Sequence, residues 1–269
     1  MKHLRIGIIG LTLSLGAALG AESFPFSLDP LDDGLMLGGG LALYGGSLYL
    51  QSLKPAPSAA DINPASIPFF DRAYPSNPSN TVVSVGDDLS IAMAALPLIL
   101  LPGRTGGEIF TLGVMYAESL ELAYDVDSLL KSVIVRYRPY AYSMSTPADF
   151  SNPYISASFP SSNTSLAFAA AVFMGYAFDE LNPDSSMKVF VWASGLGLAT
   201  AVSTLLVAGA NHFVSDVVAG AAIGAASAYL VPFLHERIRA IKTRAGSAVS
   251  SIRIEPSPGG IAARLTFAP

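Results

Sequence analysis

Three groups of residues in this 269-residue chain have types and spacings suited to holding or attacking an oxyanion. The first is His212 with Asp216 four residues later. On a helix this spacing puts both side chains on one face, so a carboxylate can orient one imidazole nitrogen and leave the other free as nucleophile or base. A capped, internally satisfied histidine would show the same pair. The other two histidines stand apart, His3 near the amino terminus and His235 among charges beyond the last apolar run. The second group is Lys131 with Arg138-Pro139. It offers cations with no carboxylate between them, and an arginine fork matches phosphate geometry. Snorkelling residues at the end of a membrane helix would also look like this. The third is Ser158-Phe159-Pro160-Ser161-Ser162-Asn163-Thr164, a polar turn feeding an apolar helix. Its free backbone N–H groups and dipole would attract an anion, although the same residues serve as a plain N-cap.

The elements that must position these groups read as helices. Only 13% of residues are charged and 51% are hydrophobic, about half the charge of a soluble domain. Apolar runs fall at 35–53, 89–101, 108–137, 164–178, 189–210 and 213–234. The last two are long enough to span a bilayer and 164–178 is marginal. The first is weakened by Gly38-Gly39-Gly40 and Gly45-Gly46 and is expected not to cross fully. Asp88 is expected to cap the second. The acids Glu118, Glu121, Asp125 and Asp127 argue that the later half of the third leaves the lipid. Gly220, Gly224 and Ala228 recur every fourth residue, a face suited to close helix packing.

Lys2 and Arg5 before the apolar run from Ile6 to Leu19, then Gly20-Ala21, read as a secretory signal, with an uncleaved anchor as the alternative. The expected organisation is a signal at 1–21, a weak helix and Pro/Ser-rich loop at 22–87, a helical bundle at 88–244 and a hairpin tail at 245–269. That tail is suggested by alternation in Ser251–Ile254 and Arg264–Phe267 around Pro258-Gly259-Gly260. The fold class is therefore all-α, a bundle of about five or six mostly transmembrane helices with a short C-terminal β-hairpin. The absence of cysteine excludes disulfides, thiolate metal sites and a cysteine nucleophile. A net charge of −5 without a basic, aromatic-rich patch excludes nucleic-acid binding as the expected role.

In order and spacing the three groups resemble the type 2 phosphatidic acid phosphatase superfamily, which includes bacterial acid phosphatases, lipid phosphatases and vanadium haloperoxidases. Its first motif, K-x6-R-P, is matched in full by Lys131 to Pro139. Its second, P-S-G-H, falls on Pro160-Ser161-Ser162-Asn163. Its third, S-R-x5-H-x3-D, falls on Leu205 to Asp216. The resemblance implies His212 as the nucleophile that forms a phosphohistidine, Asp216 as its orienting carboxylate, and Lys131, Arg138, Ser161 and the Ser162 amide as phosphate ligands. It also implies two departures. Asn163 replaces the general-acid histidine, and Leu206 replaces a phosphate-binding arginine. Asparagine cannot protonate a leaving alkoxide, and loss of a general acid typically slows a reaction about a hundredfold to ten-thousandfold. Arg136 could supply the missing cation, although its place two residues from Arg138 would point it elsewhere.

The expected activity is thus that of a phosphomonoesterase or diphosphatase acting on a phosphorylated lipid or small phosphate ester, with no cofactor and no metal. The alternative is a weak or inactive relative that binds lipid phosphate or serves structurally. The expected place is the inner membrane with the site facing the periplasm or exterior, or else a secreted or peripheral periplasmic protein.

Overall fold

The computed structural model describes residues 24–75, 77–144, 148–257 and 260–267, with side chains up to residue 241. The signal expected at 1–21 lies outside the described residues. Among the described residues there are six α-helices, in order α1 Pro30–Ser52, α2 Asn80–Ala94, α3 Gly106–Val133, α4 Ser162–Leu181, α5 Lys188–Ala208 and α6 Val214–Ala248.

α4 is the centre of the bundle and packs against α2, α3, α5 and α6. Its sequence explains this. Ala167, Ala169, Ala170, Ala171, Gly175 and Ala177 keep it thin, while Phe173, Met174 and Tyr176 fill the space between neighbours, and all are buried. The expected Gly220/Gly224 face meets α4. A Cβ on Gly220 would stand 2.4 Å from the Ser161 carbonyl oxygen, and one on Gly224 would stand 1.9 Å from that of Ser165. Only glycine permits this approach, and it brings the start of α6 against the start of α4.

Among the described residues, three helical segments are long and apolar enough to cross a membrane: Asn80–Leu100, Lys188–Ala208 and Val214–Ile241. Their outward faces are apolar. Ile91 and Leu98, Val189 and Phe190, and Val218 and Tyr229 are exposed, as expected of helices surrounded by lipid rather than water.

Several boundaries differ from the sequence expectations. α1 is a complete 23-residue helix despite its glycines, because Asp29 caps it and Pro30 occupies its first turn. α2 starts at Asn80 and is capped by Ser79, not by Asp88. α3 ends at Val133 rather than Tyr137. The β-branched run Val133-Ile134-Val135 and the approaching Pro139 favour extended backbone, and Lys54 Nζ closes the helix by donating to the carbonyls of Lys131 (2.6 Å) and Ile134 (3.2 Å). Residues Val249–Ser257 and Gly260–Phe267 pair antiparallel with each other alone. The packed molecule is all-helical, and a C-terminal hairpin is not supported as part of that fold.

Candidate active site

The extended strand after α3 sets the site's geometry. Arg136 bridges to Ala157, and the Arg138 amide donates to the Ile155 carbonyl at 2.9 Å. Alternation along the strand turns Arg136 and Arg138 to opposite sides. A cavity of about 420 Å³ opens on the Arg138 side, lined among others by Lys131, Arg138, Ser162, Asn163, Asn211 and His212.

Arg138 is anchored by donating through Nε to the Tyr154 carbonyl (3.0 Å) and through one terminal nitrogen to Asn211 Oδ1 (2.9 Å). The same terminal nitrogen lies 3.0 Å from His212 Nε2. A guanidinium only donates, so Nε2 must accept and the ring proton resides on Nδ1. That nitrogen faces Asp216 Oδ2 at 3.6 Å, an ion-pair distance slightly too long for a hydrogen bond. Burial, and then the Arg138 charge, push the His212 pKa down to about 3. The imidazole is therefore neutral, with its lone pair on the cavity side.

Asp216 is fully buried and saturated. Its Oδ2 accepts from Ser158 Oγ (2.6 Å) and the Phe213 amide (2.9 Å), and its Oδ1 accepts from Arg136 (2.7 Å). Arg136 also pairs with Asp71 at 2.5 Å, and Asp71 holds the Ser215 amide at 3.0 Å. Arg136 points away from the cavity, as its place two residues from Arg138 suggested: it lies behind Asp216. Leu206 is not in the cavity either. It is fully buried among Met93, Ala199 and Val202, so the site contains no third-motif cation.

Lys131 Nζ donates to the carbonyls of Ala157 (3.1 Å) and Pro160. Burial, and then the neighbouring Arg138 charge, lower its pKa to about 8. Pro160 leads into α4, whose N-cap Ser161 makes no side-chain capping bond. Ser161 Oγ is buried without a partner, while Ser162 and Asn163 line the cavity. A helix start without its cap leaves N–H groups for an anion.

The sequence reading missed Asp87. It lines the cavity from α2, and its Oδ1 accepts from Asn163 Nδ2. A signal existed, since a carboxylate inside an apolar helical run is uncommon. Placing the helix start at Asp88 left Asp87 in a presumed loop. Asn211, which anchors Arg138, carries no comparable signal.

A family model described as the PAP2 superfamily matches residues 112–239. No curated protein matches the chain. Among solved structures, the chain is similar to a transmembrane PAP2 type phosphatidylglycerolphosphate phosphatase from Bacillus subtilis, with 21% identity over 74% of this chain and 96% of that one and a TM-score of 0.35.

Proposed function

We propose that this chain, which the PAP2 superfamily model matches over residues 112–239, is a membrane-embedded phosphohydrolase that cleaves a phosphorylated lipid or a related phosphate ester through His212. The observation that carries this reading is the contact from Arg138 to His212 Nε2, which leaves a neutral imidazole with its lone pair among cations. Lys131, Arg138 and the start of α4 bind the phosphoryl oxygens. His212 Nε2 forms an N–P bond as the P–O bond to the leaving group breaks. The positive charge left on the ring is met by Asp216, drawing Nδ1–H toward Oδ2.

Asp87 is the proton donor in this scheme. Asn163 Nδ2 holds its Oδ1 at the position where the family resemblance places a histidine, and Asp87 shares the cavity lining with Arg138 and His212. A protonated Asp87 gives its proton to the departing alkoxide. Its carboxylate then takes a proton from the water that attacks phosphorus and breaks the N–P bond, releasing phosphate. Tyr44 and Leu48 from α1, with Val83 from α2, form apolar and aromatic walls beside the charged floor, which suits a phosphate head carrying a hydrocarbon substituent. We place the site on the periplasmic or exterior side, with a peripheral periplasmic protein as the alternative.

One observation favours a second reading, binding without turnover. Arg136 is committed to Asp71 and Asp216 and Leu206 lies in the core, so the pocket has fewer cations than the resemblance implies. Phosphate release from phosphatidic acid and from a diphosphate lipid separates the two. Faster release by the native protein than by His212→Ala supports hydrolysis, whereas equal background rates with retained lipid binding establish the second reading.

A further inference from the structure

At the other end of the bundle, three buried side chains from three helices converge: Asp33 of α1, Glu118 of α3 and His235 of α6. One ligand-capable atom from each lies within 4.8 Å of the others. His235 Nδ1 stands 2.9 Å from the Val231 carbonyl oxygen. A carbonyl only accepts, so Nδ1 carries a proton, the arrangement that orients a metal-binding imidazole. Nε2 then faces Asp33 Oδ1 at 3.1 Å and Glu118 Oε2 at 3.3 Å.

With both carboxylates ionised, protein groups alone do not satisfy this cluster. With a neutral ring, Nε2 turns a lone pair toward two carboxylates. With a charged ring, the single Nε2 proton goes to Asp33, the contact with hydrogen-bond geometry. In both cases the two oxygens of Glu118, fully buried, have no hydrogen-bond partner. Buried carboxylates in proteins are paired or bound to metal. We propose that Asp33, Glu118 and His235 form a binding site for one divalent first-row cation, zinc by its best fit, that clamps α1, α3 and α6 together.

Charge and distance agree with this assignment. Two carboxylates and a neutral imidazole carry a charge that one divalent ion balances. Tetrahedral ligands at zinc bond lengths stand about 3.3–3.6 Å apart, and octahedral ligands around a slightly larger ion about 3.0 Å. The 3.1 and 3.3 Å separations need little adjustment for either. A cavity of about 200 Å³ between α1 and α3, lined by Glu118, Glu121 and Asp125 without a basic residue, adjoins Glu118 and offers a cation a route in. The site is independent of the phosphate pocket and of any turnover there.

The test uses the full chain in detergent, stripped with EDTA and titrated with Co²⁺ and then Zn²⁺. The expected result is one metal per chain by elemental analysis, a visible Co²⁺ ligand-field spectrum that Zn²⁺ displaces, and a raised melting temperature on metal addition. His235→Gln and Glu118→Gln should each lose at least tenfold in affinity, while His212→Ala keeps it. Should those variants not fold, X-ray absorption of the zinc-loaded wild type decides, with one imidazole expected in the first shell. Substoichiometric metal in the wild type, full affinity in both variants, or a shell without imidazole would overturn the proposal.

Discussion

The Arg138 guanidinium lies 3.0 Å from His212 Nε2 and so determines which imidazole nitrogen carries the proton. A lysine can replace the charge but not the fork that simultaneously reaches the Tyr154 carbonyl and Asn211 Oδ1. Arg138→Lys should therefore lower kcat/KM for phosphate release about tenfold to a hundredfold. It should also let the ring adopt its other tautomer, visible in ¹⁵N chemical shifts of labelled histidine. An unchanged tautomer population would contradict this account of the contact.

Asp87→Asn keeps the size of the side chain and removes its proton. On an alkyl phosphate lipid the rate should drop about a hundredfold or more. On p-nitrophenyl phosphate, whose leaving group needs little protonation, the drop should be far smaller. Equal losses on both substrates would make Asp87 a positioning group. Asn163→His, facing the same carboxylate, should raise the rate on alkyl substrates.

The pH dependence follows from two shifted groups. His212 is neutral down to about pH 3, so kcat/KM measured with p-nitrophenyl phosphate as its dianion should show no acid limb near the ordinary histidine value of about 6.5. Lys131 loses its proton through about pH 8, so kcat/KM should fall above that pH, and Lys131→Met should lack this limb. Stability shows the opposite side of the His212 shift. The unfolded chain takes up this proton below about pH 6.5 and the folded chain does not until about pH 3, so stability is lost as pH falls between them, by at most about 1.4 kcal/mol per unit. Thermal melts of His212→Gln should show a shallower loss in that window.

Gly224→Ala places a methyl against the Ser165 carbonyl on α4, and backbone cannot step aside as a flexible side chain would. A loss of about 1–3 kcal/mol or more is expected, measured as a lower melting temperature in detergent. Gly220→Ala presses on Ser161, so it should additionally weaken phosphate binding. A Gly220→Ala protein with normal phosphate affinity would separate α4 packing from the site.

Orientation can be tested directly because the chain lacks cysteine. Met144 and Arg237 are both exposed, near opposite ends of the bundle. In intact cells a membrane-impermeant maleimide should label Met144→Cys and spare Arg237→Cys. The reverse pattern would place the pocket inside.

Much of the candidate site's layout was legible because its cues are local. His212 and Asp216 reveal themselves by helical spacing, Lys131 and Arg138-Pro139 by charge in an apolar chain, and Gly220 with Gly224 by their repeat. Each involves neighbours separated by one or two turns of backbone. Boundaries were less legible: the β-branched run from Val133 and the later Pro139 only bias α3 to stop, and the contact that closes its last carbonyls comes from Lys54, far away in sequence.

The sequence by itself determined an apolar helical bundle and the residue types suited to a phosphate, and it added a terminal hairpin that the packed fold does not support. Tertiary structure alone decided the arrangement of those residues. Strand alternation sent Arg136 behind Asp216 and Arg138 into the cavity, packing enclosed Leu206 in the core, and the approach of α2 to α4 set Asp87 beside Asn163. It also brought Asp33, Glu118 and His235 together from three helices. The physical reason is that hydrogen bonds and charge interactions act through space over a few ångströms, and residues far apart in the chain come within that range only once the bundle has packed.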